Sequence, residues 1–247
     1  MYSKIPTPGS DWSGENMRYV MCFFPLVGGA IGILMYGWMC LAGYLGLSGG
    51  TGMFLYAAIL MLIPVAVSGG IHLDGFLDTS DALSSWQPVE KRLEILKDSC
   101  SGAFAVIMGC GYFILTFGVY CAVGDGDIFK ILCLVFVLSR ALSGLAIVKF
   151  RMAKNTGLAA TFSDGAQKKI VAVWMMVYIV CMGILMLMIN ILYGAAALIT
   201  AALVFLYYRH MAYKNFKGIT GDLAGWFLQV CELAVPFVLV MISYVIG

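Results

Sequence analysis

The chain has 247 residues, 62% of them hydrophobic and 11% charged, with a net charge of only +2. A soluble globular domain carries about 25% charged residues, so this composition cannot cover a water-facing surface; a mean hydropathy of +0.95 points instead to a helical membrane bundle. The small net charge excludes a general nucleic-acid binder. The eight cysteines are scattered, nearly all within apolar runs, with no CxxC and no Cys/His cluster at zinc spacing, so they read as small buried hydrophobes.

The arm of residues 1–15 is polar and lacks the apolar core of a cleavable signal peptide. Insertion is therefore expected to be driven by the first membrane helix. Spans of roughly 20 apolar residues are predicted at about 19–47, 53–71, 102–123, 128–148, 170–189, 191–208 and 223–246. The fold class is all-α: one polytopic bundle of about seven transmembrane helices over 1–247, without repeats or an inserted soluble domain. The first span is long and glycine-rich, so a tilt or break is expected there. The fifth and sixth are separated by little more than Asn190 and predict a tight hairpin.

Loop charges orient the bundle. Cations occupy alternate connections: Lys4 and Arg18; Lys91, Arg92 and Lys97; Lys149, Arg151, Lys154, Lys168 and Lys169; Arg209, Lys214 and Lys217. The opposite loops, 48–52, 124–127 and Asn190, hold none. Cation-rich loops stay in the cytoplasm, so the N-terminus is expected inside and the C-terminus outside. Asp74, Asp78, Asp81, Asp98, Asp164 and Asp222 then fall on the cytoplasmic side, with Asp125 and Asp127 opposite and Asp11 in the N-terminal arm.

The most informative stretch is 69–81, GGIHLDGFLDTSD. On a helix Asp74, Asp78 and Asp81 are spaced i, i+4, i+7 and line one face. Three stacked like charges repel one another unless a cation offsets them, and Mg²⁺ takes carboxylate oxygens while leaving room for substrate phosphates. A solvated face with Asp74 as helix N-cap is the other reading. His72 is open between a satisfied interfacial histidine and a catalytic base or phosphate ligand.

The segment 88–99 is amphipathic, and its Arg92, Lys97 and Asp98 could reach the acidic face; cations there could clamp a pyrophosphate, or the segment is an ordinary surface helix. Arg140 and Glu232 lie inside predicted spans, about 13 and about 15 Å deep by the helical rise. Intramembrane charges need partners, so the matched depths predict an Arg140–Glu232 pair, structural or functional. Residues 217–222, KGITGD, open the last span; Thr220 and Asp222 there suit an anion site at a helix N-terminus, a further metal ligand, or a plain loop-to-helix junction.

These residues together resemble the cobalamin synthase family, the adenosylcobinamide-GDP ribazoletransferases, nearly end to end. The resemblance rests on KIPTP at 4–8, FFPLVG at 23–28, the GGxHLDGxxDTxD stretch at 69–81, Arg92, the Lys97–Asp98–Ser99 run, GAF at 102–104, Ser139–Arg140, and Gly221–Asp222 with Glu232. Cys100 stands where Arg or His is expected in many relatives, which would leave more phosphate contact to Arg92 or Lys97.

The resemblance implies a Mg²⁺-dependent membrane enzyme, whose active site the loop charges place on the cytoplasmic side. It would join α-ribazole or α-ribazole 5′-phosphate to adenosylcobinamide-GDP and release GMP, a ribose hydroxyl attacking the phosphorus on cobinamide. In that setting Asp74, Asp78 and Asp81 would hold Mg²⁺, with one of them or His72 taking the hydroxyl proton. Arg92, Lys97 and Arg140 would offset phosphate charge, and Asp98 and Asp222 would be further ligands or orienters. A CDP-alcohol phosphotransferase is disfavoured because Asp74–Gly75 is not followed by that family's Ala-Arg. An ion-coupled transporter is disfavoured because the acidic residues crowd one face rather than the midplane.

Overall fold

A computed structural model describes residues 18–98, 100–124, 126–153 and 158–246. The polar N-terminal arm with Lys4 and Asp11, as well as Asp125 and Lys154, lies outside them. Among the described residues the chain is helical, with one isolated bridge between Met152 and Ile219. The helices are α1 (Phe24–Tyr44), α2 (Gly52–Ser68), α3 (Ile71–Ser84), α4 (Val89–Ile95), α5 (Ala103–Ala122), α6 (Asp127–Lys149), α7 (Leu158–Gly165), α8 (Lys168–Ile189), α9 (Ile191–Phe216) and α10 (Gly221–Ile246).

Six of these are long and apolar enough to cross a bilayer, counting α1 with the 3-10 turn that leads into it; α2 and α3 pass the same test only as a pair bent by 95°, which brings the count to at most seven among the described residues. The predicted spans are thus present, and the second is the broken one. Its break lies at Gly69 and Gly70, with φ of 70° and 82°, a left-handed region that suits glycine. The Gly70 N–H returns to the Val65 carbonyl at 3.0 Å, closing α2 in a Schellman turn, and α3 departs almost at right angles.

The first span, where a tilt or break was expected, is an unbroken α1 after the 3-10 turn Val20–Phe23. Its glycines serve as a contact face instead. A Cβ on Gly28 would collide with the Phe136 carbonyl, and one on Gly32 would lie 2.6 Å from the Cys133 carbonyl. Small residues four apart let α1 lie backbone-on-backbone against α6.

Helix α6 is the most enclosed span and forms the axis of the bundle, with α1, α8, α9 and α10 packed around it. Outward faces stay apolar: Ile33, Ile114, Val173, Met188, Ile199 and Leu203 are all exposed, which hydrocarbon tolerates and water would not. The α8–α9 hairpin turns on Asn190 as predicted. Its Oδ1 accepts from the Leu192 and Tyr193 N–H groups, and its Nδ2 donates to Asp127.

Asp127 and Lys130 pair at 3.2 Å at that same end of α6. One cation therefore stands at the end whose loops have none, because Lys130 belongs to the first helical turn. Helix α9 runs two turns past its predicted end, carrying Arg209 and Lys214 as helix rather than loop.

Candidate active site

The acidic stretch folds as predicted: α3 is helical from Ile71 to Ser84, so Asp74, Asp78 and Asp81 share a face. Asp74 is not the cap. Gly70 occupies that position and Asp74 falls inside the first turn. Asp74 is exposed, and Asp78 and Asp81 are half-buried.

A fourth carboxylate arrives from α10. A Cβ on Gly75 would lie 2.7 Å from the Asp222 carbonyl oxygen and 2.8 Å from its Cα, and one on Gly225 would lie 2.9 Å from the His72 carbonyl. The two glycines make a reciprocal contact in which α3 and α10 touch through their backbones, and Asp222 is carried onto the acidic face. The Asp81 carboxylate lies directly over Gly102, where a Cβ would strike it. The face is thereby bounded by α3, the start of α5 and the start of α10.

The charges register on one another. Asp74, Asp222 and Asp81 all lie within electrostatic reach of Asp78. Among the described residues no lysine or arginine nitrogen comes within 4.0 Å of Asp74, Asp78 or Asp81. Nor do any three His, Cys, Asp or Glu side chains close on one point as an all-protein metal cage would. Such an open carboxylate rim fits Mg²⁺, which uses one or two carboxylates and fills its remaining positions with water and substrate phosphate.

Beneath this face lies His72, 5% exposed, edge-on to Phe24 at a ring separation of 5.9 Å. Its Nε2 has no hydrogen-bond partner among the described residues. Deeper still, the predicted Arg140–Glu232 pair is present at 2.7 Å, with both side chains at most 3% exposed. Ser139 donates to the same Glu232 oxygen at 2.7 Å, and the Arg140 guanidinium also donates to the Phe136 carbonyl at 3.0 Å. The pair joins α6 to α10 below the aspartates rather than among them.

The remaining predicted residues lie on α4, just past it, and at the start of α10. Arg92 on α4 donates to Asn215 Oδ1 at 2.6 Å, tying α4 to the end of α9. Lys97 is exposed, and Asp98 accepts from the Cys100 N–H at 3.0 Å in an Asx turn. Thr220 Oγ1 accepts from the Leu223 N–H at 3.2 Å and so caps α10; it also lies 3.5 Å from Asp222 Oδ2. The loop before it is anchored by Arg151, which donates to the Lys217 carbonyl at 2.6 and 2.9 Å. Sequence reasoning missed Gly75, Gly225, Ser139 and Asn215 as positioning residues. Glycines one turn from an acidic residue in both motifs, Asp78 after Gly75 and Asp222 before Gly225, were the available signal.

Comparison with known proteins adds an independent line. Residues 1–240 match the model of the family described as cobalamin-5-phosphate synthase. The chain is 46% identical to the adenosylcobinamide-GDP ribazoletransferase of Lachnoclostridium phytofermentans, over 100% of this chain and 92% of that one. It is 31% identical to the protein of that name from Clostridium perfringens, over 94% and 91% of the two chains. The Pseudomonas savastanoi protein of the same name is 30% identical over 92% and 90%. No solved structure matches.

Proposed function

The chain belongs to the cobalamin-5-phosphate synthase family, and on that premise we propose that it is a multi-pass membrane transferase of cobalamin nucleotide-loop assembly. It joins α-ribazole, or its 5′-phosphate, to adenosylcobinamide-GDP and releases GMP. The observation that carries this reading is the four-carboxylate rim formed where α10 delivers Asp222 onto the acidic face of α3.

A ribose hydroxyl of the ribazole attacks the phosphorus borne by cobinamide. The new O–P bond forms as the bond to the GMP oxygen breaks, and GMP leaves as a phosphomonoester. Asp78, half-buried at the centre of the rim, is placed to take the hydroxyl proton at its carboxylate. One or two of Asp74, Asp78, Asp81 and Asp222 would hold Mg²⁺. When bound, that ion neutralises phosphate charge and orients the pyrophosphate. Arg92, tied to Asn215, and the exposed Lys97 just past α4 would meet the remaining phosphate charge. Arg140 acts from below: its guanidinium is committed to Glu232, so its part is to hold α6 and α10 in register rather than to grip phosphate directly.

The site faces the cytoplasm. The ends of α6, α9 and α4 and the start of α8 that carry the cations lie at the same end of the bundle as the aspartates, through Arg92–Asn215 and Arg151–Lys217, and cation-rich ends remain inside.

The test is GMP release from adenosylcobinamide-GDP and α-ribazole by protein reconstituted in liposomes. D78N should lose about 10²- to 10⁴-fold in turnover, the usual contribution of a positioned acid–base group, while inserting normally. Release at the wild-type rate by D78N and D222N would exclude this assignment.

A further inference from the structure

A second concave surface lies away from the aspartates, between α6, α8 and α9. It is a groove of about 910 Å³ whose walls are almost wholly apolar, with Phe150 just past α6, Val173, Val177 and Val180 on α8, and Phe205 on α9. Only one end is polar. Lys149, the last residue of α6, and Lys169, in the first turn of α8, both line it there. A third cation joins them, since Arg209, one turn beyond Phe205, holds its guanidinium 5.6 Å from the centre of the Phe150 ring. All three cations are exposed, and among the described residues none has a carboxylate within 4.0 Å.

The dimensions match a lipid of one leaflet. From Lys169 to Cys181 at the far end the groove follows twelve residues of α8, about 18 Å at the helical rise. Half of the bilayer's hydrocarbon thickness is about 15 Å. The cations lie where α6 ends and α8 begins, at headgroup level, and the apolar trough descends from them for the depth of one leaflet. An acyl chain would replace the exposed face of Val173, Val177 and Val180, while a headgroup phosphate would meet three uncompensated positive charges. A zwitterionic headgroup brings its own cation with its phosphate, so it offsets less of that charge.

We infer that this groove is a binding site for an anionic phospholipid of the cation-bearing leaflet, with one acyl chain in the trough and the phosphate on Lys149, Lys169 and Arg209. The inference goes beyond the catalytic reading and uses no residue of the acidic rim.

Detergent-purified protein is titrated with phosphatidylglycerol and with phosphatidylcholine of identical acyl chains, and bound lipid is counted by native mass spectrometry. Phosphatidylglycerol should bind the more tightly. The double variant K149Q/K169Q should weaken it by about 30-fold, two cations each contributing about 1 kcal/mol near an anionic surface, and should leave phosphatidylcholine unchanged. V177W, which fills the trough from an exposed position, should weaken both lipids. Equal affinity for the two lipids, or phosphatidylglycerol binding unmoved by K149Q/K169Q, would overturn the inference. So would a dimer in detergent that V177W converts to monomer, which would make a second copy the occupant. Because the readout is bound lipid, the outcome is separate from any loss of turnover.

Discussion

Replacing Gly75 by alanine adds one methyl group at the place where α3 and α10 touch. That Cβ would sit 2.7 Å from the Asp222 carbonyl oxygen, whereas ordinary contact begins at 3.4 Å. The neighbour is backbone inside a helix, so no side chain can swing aside, and the helices must part by about 0.7 Å. Overpacking of this kind costs about 1–3 kcal/mol. The larger effect falls on function. The displacement moves Asp222 away from Asp74 and Asp78, and misplacement of a reacting group by about 1 Å can cost on the order of 10²-fold in rate. G75A should therefore insert and fold with a lowered melting midpoint and lose about 100-fold in GMP release. Gly111 on α5 is the control, since a Cβ there meets nothing within 4 Å; G111A should keep full activity and gain about 0.5–1 kcal/mol from helix propensity. Wild-type turnover by G75A, with an unchanged melting midpoint, would refute the view that this contact assembles the site.

Glu232→Ala leaves Arg140 buried without its carboxylate and should cost about 3–5 kcal/mol, read as thermal unfolding in detergent, whereas replacing both partners with apolar residues of similar volume should cost far less. Cys100 is exposed beside the rim; kept as the single cysteine, it should react with a membrane-impermeant maleimide in inverted vesicles and not in right-side-out ones.

Much of the site was legible because membranes make sequence patterns strict. The spacing of Asp74, Asp78 and Asp81 requires a helix to bring them to one face, and α3 supplies it. Arg140 and Glu232 could be paired from depth alone, since a charge in hydrocarbon must find a partner. What stayed hidden were contacts made by absence. A glycine says that something comes close, not what, so Gly28 and Gly32 read as weakness in α1 rather than as its seat on α6, and Gly75 did not announce Asp222. The Arg92 partner, Asn215, also stayed hidden, because it is neutral, more than a hundred residues away, and carries no charge signal.

The right-angle turn after α2 also sets a mechanical condition on the enzyme. Seventeen residues reach only about 26 Å, short of the roughly 30 Å hydrocarbon layer. A span this short thins the bilayer beside it or draws its flanking residues inward. Because α3 starts where α2 ends, the level of the acidic face is then coupled to the thickness of the membrane. Turnover should vary with acyl-chain length in the host liposome, fastest in thin bilayers that meet α2 at its own length, so that the lipid composition of the cell becomes a setting on the rate of the reaction.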